Sequence, residues 1–242
     1  MAGLVVDSGA MLEQAIQAAA RATITNLAVA ALLLFAPGCG THQQPAALVV
    51  SGTHQQPAAL VVIGNSITRH GPNPEIGWYG NWGMAASAAE KDYAHLSAAA
   101  LGGVLVIPDH ADFERSPDSS IAAIPAAVAG VTPESLVVVQ LGDNVADASG
   151  FRRAYGQLLD AISHRAGSLI CLSTWWRNAE LDGMIEVECS AHGGAYVFIG
   201  DIYSDPANPD QQAPLYWHGA VNAHPHDWGM ARIAGRVVAA VH

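Results

Sequence analysis

The chain has 242 residues, of which 51% are hydrophobic, and this composition can fill the core of one sizeable domain. Its formal net charge is −11 and its single lysine is Lys91, so we exclude nucleic acid as a partner, because that affinity rests on Lys and Arg. The same balance argues against docking on an anionic membrane. The 11 histidines are scattered, without HExxH or zinc-ligand spacing, so we predict no metal and no other cofactor.

Residues 1–52 are predicted to form a segment distinct from a domain over 53–242. An uninterrupted apolar run, 27–35, ends shortly before Cys39, and the stretch 11–39 resembles a secretory signal with a lipoprotein-type cysteine. The run is too short to span a membrane as a helix. The alternative is an amphipathic or buried N-terminal helix. We therefore expect an exported or lipid-anchored protein if 11–39 act as a signal, and a cytoplasmic one otherwise.

A direct duplication follows this segment. Residues 41–52 are repeated as 53–64, and the copies differ only at Ser51 and Ile63. Solenoid folds need three or more units, so two copies do not predict a repeat protein. We interpret the first copy as a spacer, an edge strand or an insertion without chemistry.

From residue 58 onward, apolar strand patterns alternate with helix-length segments. Such alternation predicts right-handed βαβ units and a parallel sheet covered on both faces. The fold class predicted is α/β, a flavodoxin-like three-layer α/β/α sandwich with about five strands. The predicted strands are 58–63, 103–107, 135–140, 168–173 and 195–199; the predicted helices are 81–99, 118–129, 150–165, 176–190 and 227–241; and a long loop is predicted over 201–223.

Two cysteines of the predicted domain, Cys171 and Cys189, have two possible states. They pair in an oxidising compartment if their Cα atoms approach closely enough, and otherwise they are buried thiols. The sequence leaves this choice open.

Three polar residues lie next to the ends of predicted strands or helices, at positions where chemistry is expected. Ser66 comes directly after the first strand, at the carboxyl edge where ligands bind in open α/β sheets. Asn144 follows the strand over 135–140, and its amide can either donate to an oxyanion or form an Asx turn. His224 stands before a proline at the start of the last helix, a place that suits a general base.

These residues resemble the motifs of the SGNH, or GDSL-like, hydrolase family. Gly64-Asn65-Ser66-Ile67-Thr68 is similar to the family's nucleophile block, Gly142-Asp143-Asn144 to its Gly-x-Asn block, and the stretch from His224 to Met230 to its final block. The resemblance covers roughly residues 58–241. It implies that Ser66 is the nucleophile, that His224 is the base, and that Asn144 and the Ser66 amide line the oxyanion hole.

The sequence departs from the family pattern at three places. Val221 stands where the family carries an Asp three residues before the histidine, so either Ser66 and His224 act as a dyad or another acid orients the base. Asp201 and Asp205 are the candidates for that acid. Asn65 replaces the Asp before the nucleophile. The second family block lacks its usual glycine, and we predict that the Ala111 amide completes the oxyanion hole.

Tryptophans at two strand ends offer flat faces that can stack on a sugar ring. We predict Trp78 and Trp175 as substrate-binding residues, while packing between helix and sheet is the alternative for both. The predicted function is therefore that of a serine esterase that hydrolyses small acyl esters, with acetyl groups on a carbohydrate as the leading candidate. The alternatives are an O-acyltransferase on the same machinery and a non-catalytic carbohydrate-binding or assembly domain. The predicted partner is a small-molecule or glycan acyl ester, and the oligomeric state stays open.

Overall fold

The computed structural model describes residues 56–109, 113–211 and 214–241. Five strands form one parallel sheet in the spatial order β2-β1-β3-β4-β5. They are β1 (Ala59–Gly64), β2 (Val104–Val106), β3 (Ser135–Gln140), β4 (Ser168–Leu172) and β5 (Ala195–Val197). The predicted α/β class and the five predicted strands are confirmed, with ends shifted by one or two residues.

The inner strand β1 is apolar along its whole length because helices cover both faces of the sheet. Val61 and Ile63 join the core cluster on one face, and Leu60 and Val62 join the cluster on the other. Successive side chains of a strand point to opposite faces, so a strand buried on both sides needs an unbroken apolar run. This arrangement gives the predicted three layers.

Seven α-helices occur in the part of the chain that the structure describes, and three of the longer ones begin at a side-chain cap. Asp92, Asp147 and Asn178 each accept a hydrogen bond from a main-chain N–H of the first turn that follows. The helices are α1 (Tyr93–Leu101), α2 (Pro117–Ala127), α3 (Ala148–Ser163), α4 (Ala179–Ala191), α5 (Gly200–Tyr203), α6 (Gly219–Asn222) and α7 (Asp227–Ala239).

Two predicted segments differ from the structure. The helix predicted over 81–99 begins only at Tyr93, because Asp92 caps it there and Ala85 adopts a φ of 72°, which a helix does not allow. The loop predicted over 201–223 carries the short helices α5 and α6. The first segment is rich in small residues, which fit a helix and a packed turn equally well. The second is rich in Pro, Asp and Tyr, which is typical of a loop, and its two helices are only four residues long.

The strand order places the ends of β1 and β3 side by side at the point where the chain reverses its direction across the sheet. Gly64 lies opposite Gln140, so the residues after both strands share one carboxyl edge. Crevices at such switch points bind ligands in open α/β sheets. The predicted nucleophile and the predicted oxyanion residue follow these two strands.

Cys171 of β4 and Cys189 of α4 form a disulfide, which settles the choice that the sequence left open. Both cysteines are fully buried in the core cluster that α2, α3 and α4 share with the sheet. The predicted segment 1–52 and the first copy of the duplication lie outside the described residues. Within the described ranges, no helix is long and apolar enough to cross a membrane.

Candidate active site

Ser66 occupies a tight turn between β1 and the chain that follows it. The Asn65 carbonyl accepts hydrogen bonds from the amides of Thr68 and Arg69, and the Asn65 side-chain oxygen accepts one from the Ile67 amide at 2.9 Å. A side chain at Gly64 would lie 1.9 Å from the Thr68 hydroxyl and 2.9 Å from the Gln140 carbonyl. The turn therefore needs glycine before Asn65, and it leaves the Ser66 side chain half-buried at a cavity.

The hydroxyl of Ser66 lies 2.8 Å from Nε2 of His224. The other ring nitrogen, Nδ1, is 2.7 Å from the carbonyl oxygen of Ala220 in helix α6. A carbonyl can only accept, so Nδ1 carries the proton and Nε2 is left to accept from the serine hydroxyl. The backbone thus fixes the tautomer and the ring orientation that a general base requires.

Among the described residues, no acidic side chain contacts a ring nitrogen of His224, so none takes the place of the missing family Asp. Val221 is fully buried in an apolar cluster with Trp78, Met84 and Ala85. The two carboxylates predicted as substitutes lie elsewhere: Asp201 pairs with Arg236, and Asp205 accepts from the amide of Ala207. The hypothesis that either acid orients His224 is wrong.

Burial dominates the electrostatics of His224. Its side chain is surrounded by protein, and desolvation lowers its pKa from 6.5 to about 4, despite the opposing hydrogen bond to Ala220. The rings of His224 and Trp176 also form a T-shaped contact, with centroids 5.2 Å apart and planes at 88°. The imidazole is consequently neutral over the whole physiological pH range.

Asn144 lines the same cavity and is held there by two charged side chains. Its Nδ2 donates to Oε2 of Glu114 at 2.7 Å, and its Oδ1 accepts from the guanidinium of Arg115 at 3.1 Å. Gly142, two residues earlier, has a φ of 129°, a conformation that residues with a side chain rarely adopt. This local strain explains the glycine of the Gly-x-Asn motif.

A buried carboxylate network supports this corner. Oε1 of Glu114 accepts from the amides of Gly142 and Asp143 at 2.6 and 2.8 Å, and from Nδ2 of Asn65 at 3.0 Å. The same Asn65 nitrogen donates to Oδ2 of Asp143 at 3.1 Å, so the amide of Asn65 bridges two carboxylates. Burial, and then the nearby Glu114, raises the pKa of Asp143 to about 7.

These groups line one cavity of about 520 Å³ at the switch point of the sheet. The volume lies within the range of small-molecule sites. Its polar walls bring together the three residues predicted as nucleophile, base and oxyanion donor, and its remaining walls are aromatic, aliphatic and basic. The lining includes Ser66, His224, Asn144, Glu114, Arg69, Arg115, His70, Ile76, Met84, Phe113, Leu141 and Trp176.

Two predicted substrate residues lie in the core instead of the cavity. Trp78 is 2% exposed and packs against Trp82 and Tyr216. Trp175 is 1% exposed, and its indole N–H donates to the carbonyl of Ala223. Neither ring has a free face for a sugar, so we correct both to packing residues; Ala111, the third oxyanion donor predicted, lies outside the described residues.

The sequence did not indicate Glu114, Arg115 or the Ala220 carbonyl. Glu114 and Arg115 belong to the irregular second block, which in the family is recognised by a glycine, and a main-chain carbonyl has no sequence signature. Trp176, the neighbour of the predicted Trp175, is the tryptophan that reaches the cavity. In the described ranges, no group of three or more His, Cys, Asp or Glu side chains is arranged to hold a metal ion.

The fold is similar to known structures although no family model and no curated protein matches the sequence. A catalytic mutant of Axe2, an acetylxylan esterase from Geobacillus stearothermophilus, aligns with a TM-score of 0.51 at 11% identity, over 76% of this chain and 94% of that one. TesA aligns with a TM-score of 0.52 at 16% identity, over 76% of this chain and 97% of TesA. This chain has the fold of the SGNH hydrolases. The family resemblance predicted from the motifs is thus confirmed at the level of the fold.

Proposed function

We propose that the protein is an SGNH-type serine esterase that removes small acyl groups. The observation that carries the proposal is the 2.8 Å contact between the Ser66 hydroxyl and Nε2 of His224, with Nδ1 of the ring held by the Ala220 carbonyl. A nucleophile within hydrogen-bond reach of a base that a third group orients is the usual arrangement for acyl transfer. Asn144 faces the same cavity.

The reaction follows from this arrangement. Ser66 attacks the ester carbonyl while its proton passes to Nε2 of His224, and the carbonyl oxygen becomes an oxyanion. The Asn144 amide and the Ser66 main-chain N–H are the proposed donors to that oxyanion. His224 then returns the proton to the departing alcohol, leaving an acyl-Ser66 ester. Water, activated by the same imidazole, releases the acid and restores the serine.

Acetyl esters of carbohydrates are the first substrates to test. The structural neighbour Axe2 is an acetylxylan esterase. Apolar and aromatic side chains, including Ile76, Met84 and Trp176, line the cavity and would contact an acyl chain or a sugar. An acceptor hydroxyl in place of water would make the same site an O-acyltransferase, and product analysis with an added sugar acceptor separates the two.

The test is hydrolysis of p-nitrophenyl acetate, followed by acetylated xylan, with covalent labelling by a fluorophosphonate. Ser66→Ala should lower kcat by roughly 10⁴-fold or more and abolish the label, because the nucleophile is removed. Ser163→Ala, at an exposed serine of α3, serves as the control and should change neither kcat nor the labelling. A folded wild-type protein that neither turns over nor takes the label would instead support the carbohydrate-binding alternative.

A further inference from the structure

The side chain of Asn144 is held at both ends of its amide. Nδ2 donates to Glu114 and Oδ1 accepts from Arg115. Terminal amides otherwise rotate between two orientations that differ little in energy. Rotating this amide by half a turn would place Nδ2 against the guanidinium and Oδ1 against the carboxylate, so both contacts would become repulsive. The two charged neighbours therefore select one orientation.

The amide group is planar, so fixing Oδ1 and one Nδ2 hydrogen also fixes the direction of the other Nδ2 hydrogen. That hydrogen has no protein partner among the described residues, and Asn144 lines the cavity with Ser66 and His224. A donor held in advance stabilises an oxyanion without reorganising during the reaction. The holding contacts should thus contribute to the rate.

Glu114 also fixes the backbone on which Asn144 stands. Its side chain is 2% exposed, and its Oε1 accepts from the amides of Gly142 and Asp143 as well as from Asn65. Burying a carboxylate is unfavourable unless hydrogen bonds compensate it, and here four N–H groups do so. The donors also spread the negative charge, which would otherwise repel an oxyanion formed nearby.

We propose that Glu114 and Arg115 are positioning residues that hold the Asn144 amide in the orientation needed to stabilise the oxyanion. The inference rests on the proposed function, since it assigns a role within that reaction. Neither residue touches the reacting atoms. Both act through Asn144, and this dependence is what distinguishes positioning from a contribution to folding.

Glu114→Gln is the sharpest variant because it keeps the shape of the side chain. The three donors at Oε1 hold the Gln oxygen there, so the new NH₂ faces Nδ2 of Asn144 and drives the Asn144 amide to rotate. We expect kcat and kcat/KM for p-nitrophenyl acetate to fall together by about 10- to 100-fold, as is typical when an interaction made only in the transition state is lost. Thermal unfolding is measured alongside.

The matched control is Asp182→Asn, at another buried carboxylate that accepts from main chain and side chain of Thr174. Asp182 does not line the cavity, so this variant should keep kcat even if its melting temperature falls. An equal loss of kcat in both variants would show a general structural effect and overturn the positioning role.

A double-mutant cycle with Asn144→Ala decides the mechanism. Asn144→Ala alone should lower kcat by about 10²- to 10³-fold, the usual loss for one oxyanion donor. Adding Glu114→Gln to it should change kcat by less than about threefold, because the amide that Glu114 orients is gone. A further loss of tenfold or more in the double variant would mean that Glu114 acts by another route, through the Ser66 turn, and would overturn the proposal.

Arg115→Met keeps the test decisive if Glu114→Gln does not fold, since Arg115 is exposed. It should lower kcat by about three- to tenfold in the wild-type background and have no effect in the Asn144→Ala background. Equal losses in both backgrounds would overturn the role of Arg115.

Failure of the wild type to turn over any ester would reject the proposed function itself. A wild type whose activity depends on Ser66, but in which the effects of the Glu114 and Asn144 variants are additive, would reject only the positioning role.

Discussion

The two sides of the cavity position their reactive groups by opposite means. At the oxyanion corner (Asn65, Glu114, Asp143 and Asn144), buried carboxylates accept from main-chain and side-chain N–H groups. At the histidine corner (Ala220, Val221 and His224), a main-chain carbonyl holds the imidazole, and an apolar side chain fills the place of the acid. In the part of the chain that the structure describes, the oxyanion corner is thus held by carboxylates and the histidine corner by the main chain.

The difference explains both departures from the nucleophile and base motifs. Asn65 has to be an amide because it donates to two carboxylates at once, and an Asp there would be a third acid without a hydrogen to give. Val221 has to be apolar because it is fully buried among Trp78, Met84 and Ala85. Restoring the acid of the family pattern should therefore be unfavourable at either corner, for different reasons.

The largest effect is expected at the histidine corner. Val221→Asp should lower the free energy of unfolding at pH 7 by about 5 kcal/mol, since protonating an ordinary Asp at that pH already requires about 4 kcal/mol and apolar contacts are lost as well. Urea unfolding at pH 7 measures this change in the free energy of unfolding. Val221→Thr, of the same shape but uncharged, should lose only about 1 to 2 kcal/mol. A Val221→Asp protein of wild-type stability with higher activity would show that the corner accepts an acid after all.

A smaller effect is expected at the oxyanion corner. Asn65→Asp should lower the free energy of unfolding by about 3 kcal/mol at pH 7, because it adds a like charge beside Glu114 and Asp143 and removes their shared donor. Asn65→Ala removes the donor without adding charge. The difference between the two variants should shrink at pH 5, where a carboxyl of the cluster takes up a proton. A difference that is the same at both pH values would contradict repulsion as the cause.

The pH dependence of activity tests the effect of burial on His224. A protonated imidazole cannot take the Ser66 proton, so activity is lost below the pKa of His224, which burial lowers to about 4. The acid limb of kcat/KM, which reports the free enzyme, should thus lie near pH 4. At pH 5 the enzyme should keep most of its activity, whereas an imidazole with a pKa of 6.5 would be only about 3% neutral.

The control for this profile is incubation at each pH followed by assay at pH 7, which separates unfolding from titration. An acid limb near pH 6.5 with the protein intact would mean that His224 is better solvated than the structure indicates. The two stability series and the pH profile together test the contrast between the corners. They show whether burial in apolar surroundings sets the properties of the histidine corner, and whether hydrogen-bonded carboxylates set those of the oxyanion corner.

The sequence by itself predicted the sheet and the three polar residues, Ser66, Asn144 and His224, that the structure brings to one cavity. Strands such as β1 are recognisable because burial on both faces requires an unbroken apolar run. Ser66 and Asn144 each follow a strand closely, and His224 lies just before a helix. The signals for these positions are therefore close together in the sequence, so short motifs point to them. Helix α1 was predicted to begin too early, because the positive φ of Ala85 and the cap at Asp92 depend on what the segment packs against.

Only the tertiary structure decided how these residues are held. Glu114 reaches Asn144 across 30 positions of sequence, and the Ala220 carbonyl orients His224 without any side chain to mark it. The burial of Trp78 and Trp175 likewise depends on neighbours distant in sequence, so residue type alone suggested a surface role that the fold does not give them. Motifs predict which groups react, whereas contacts between separate segments set the orientation, the burial and the pKa values of those groups.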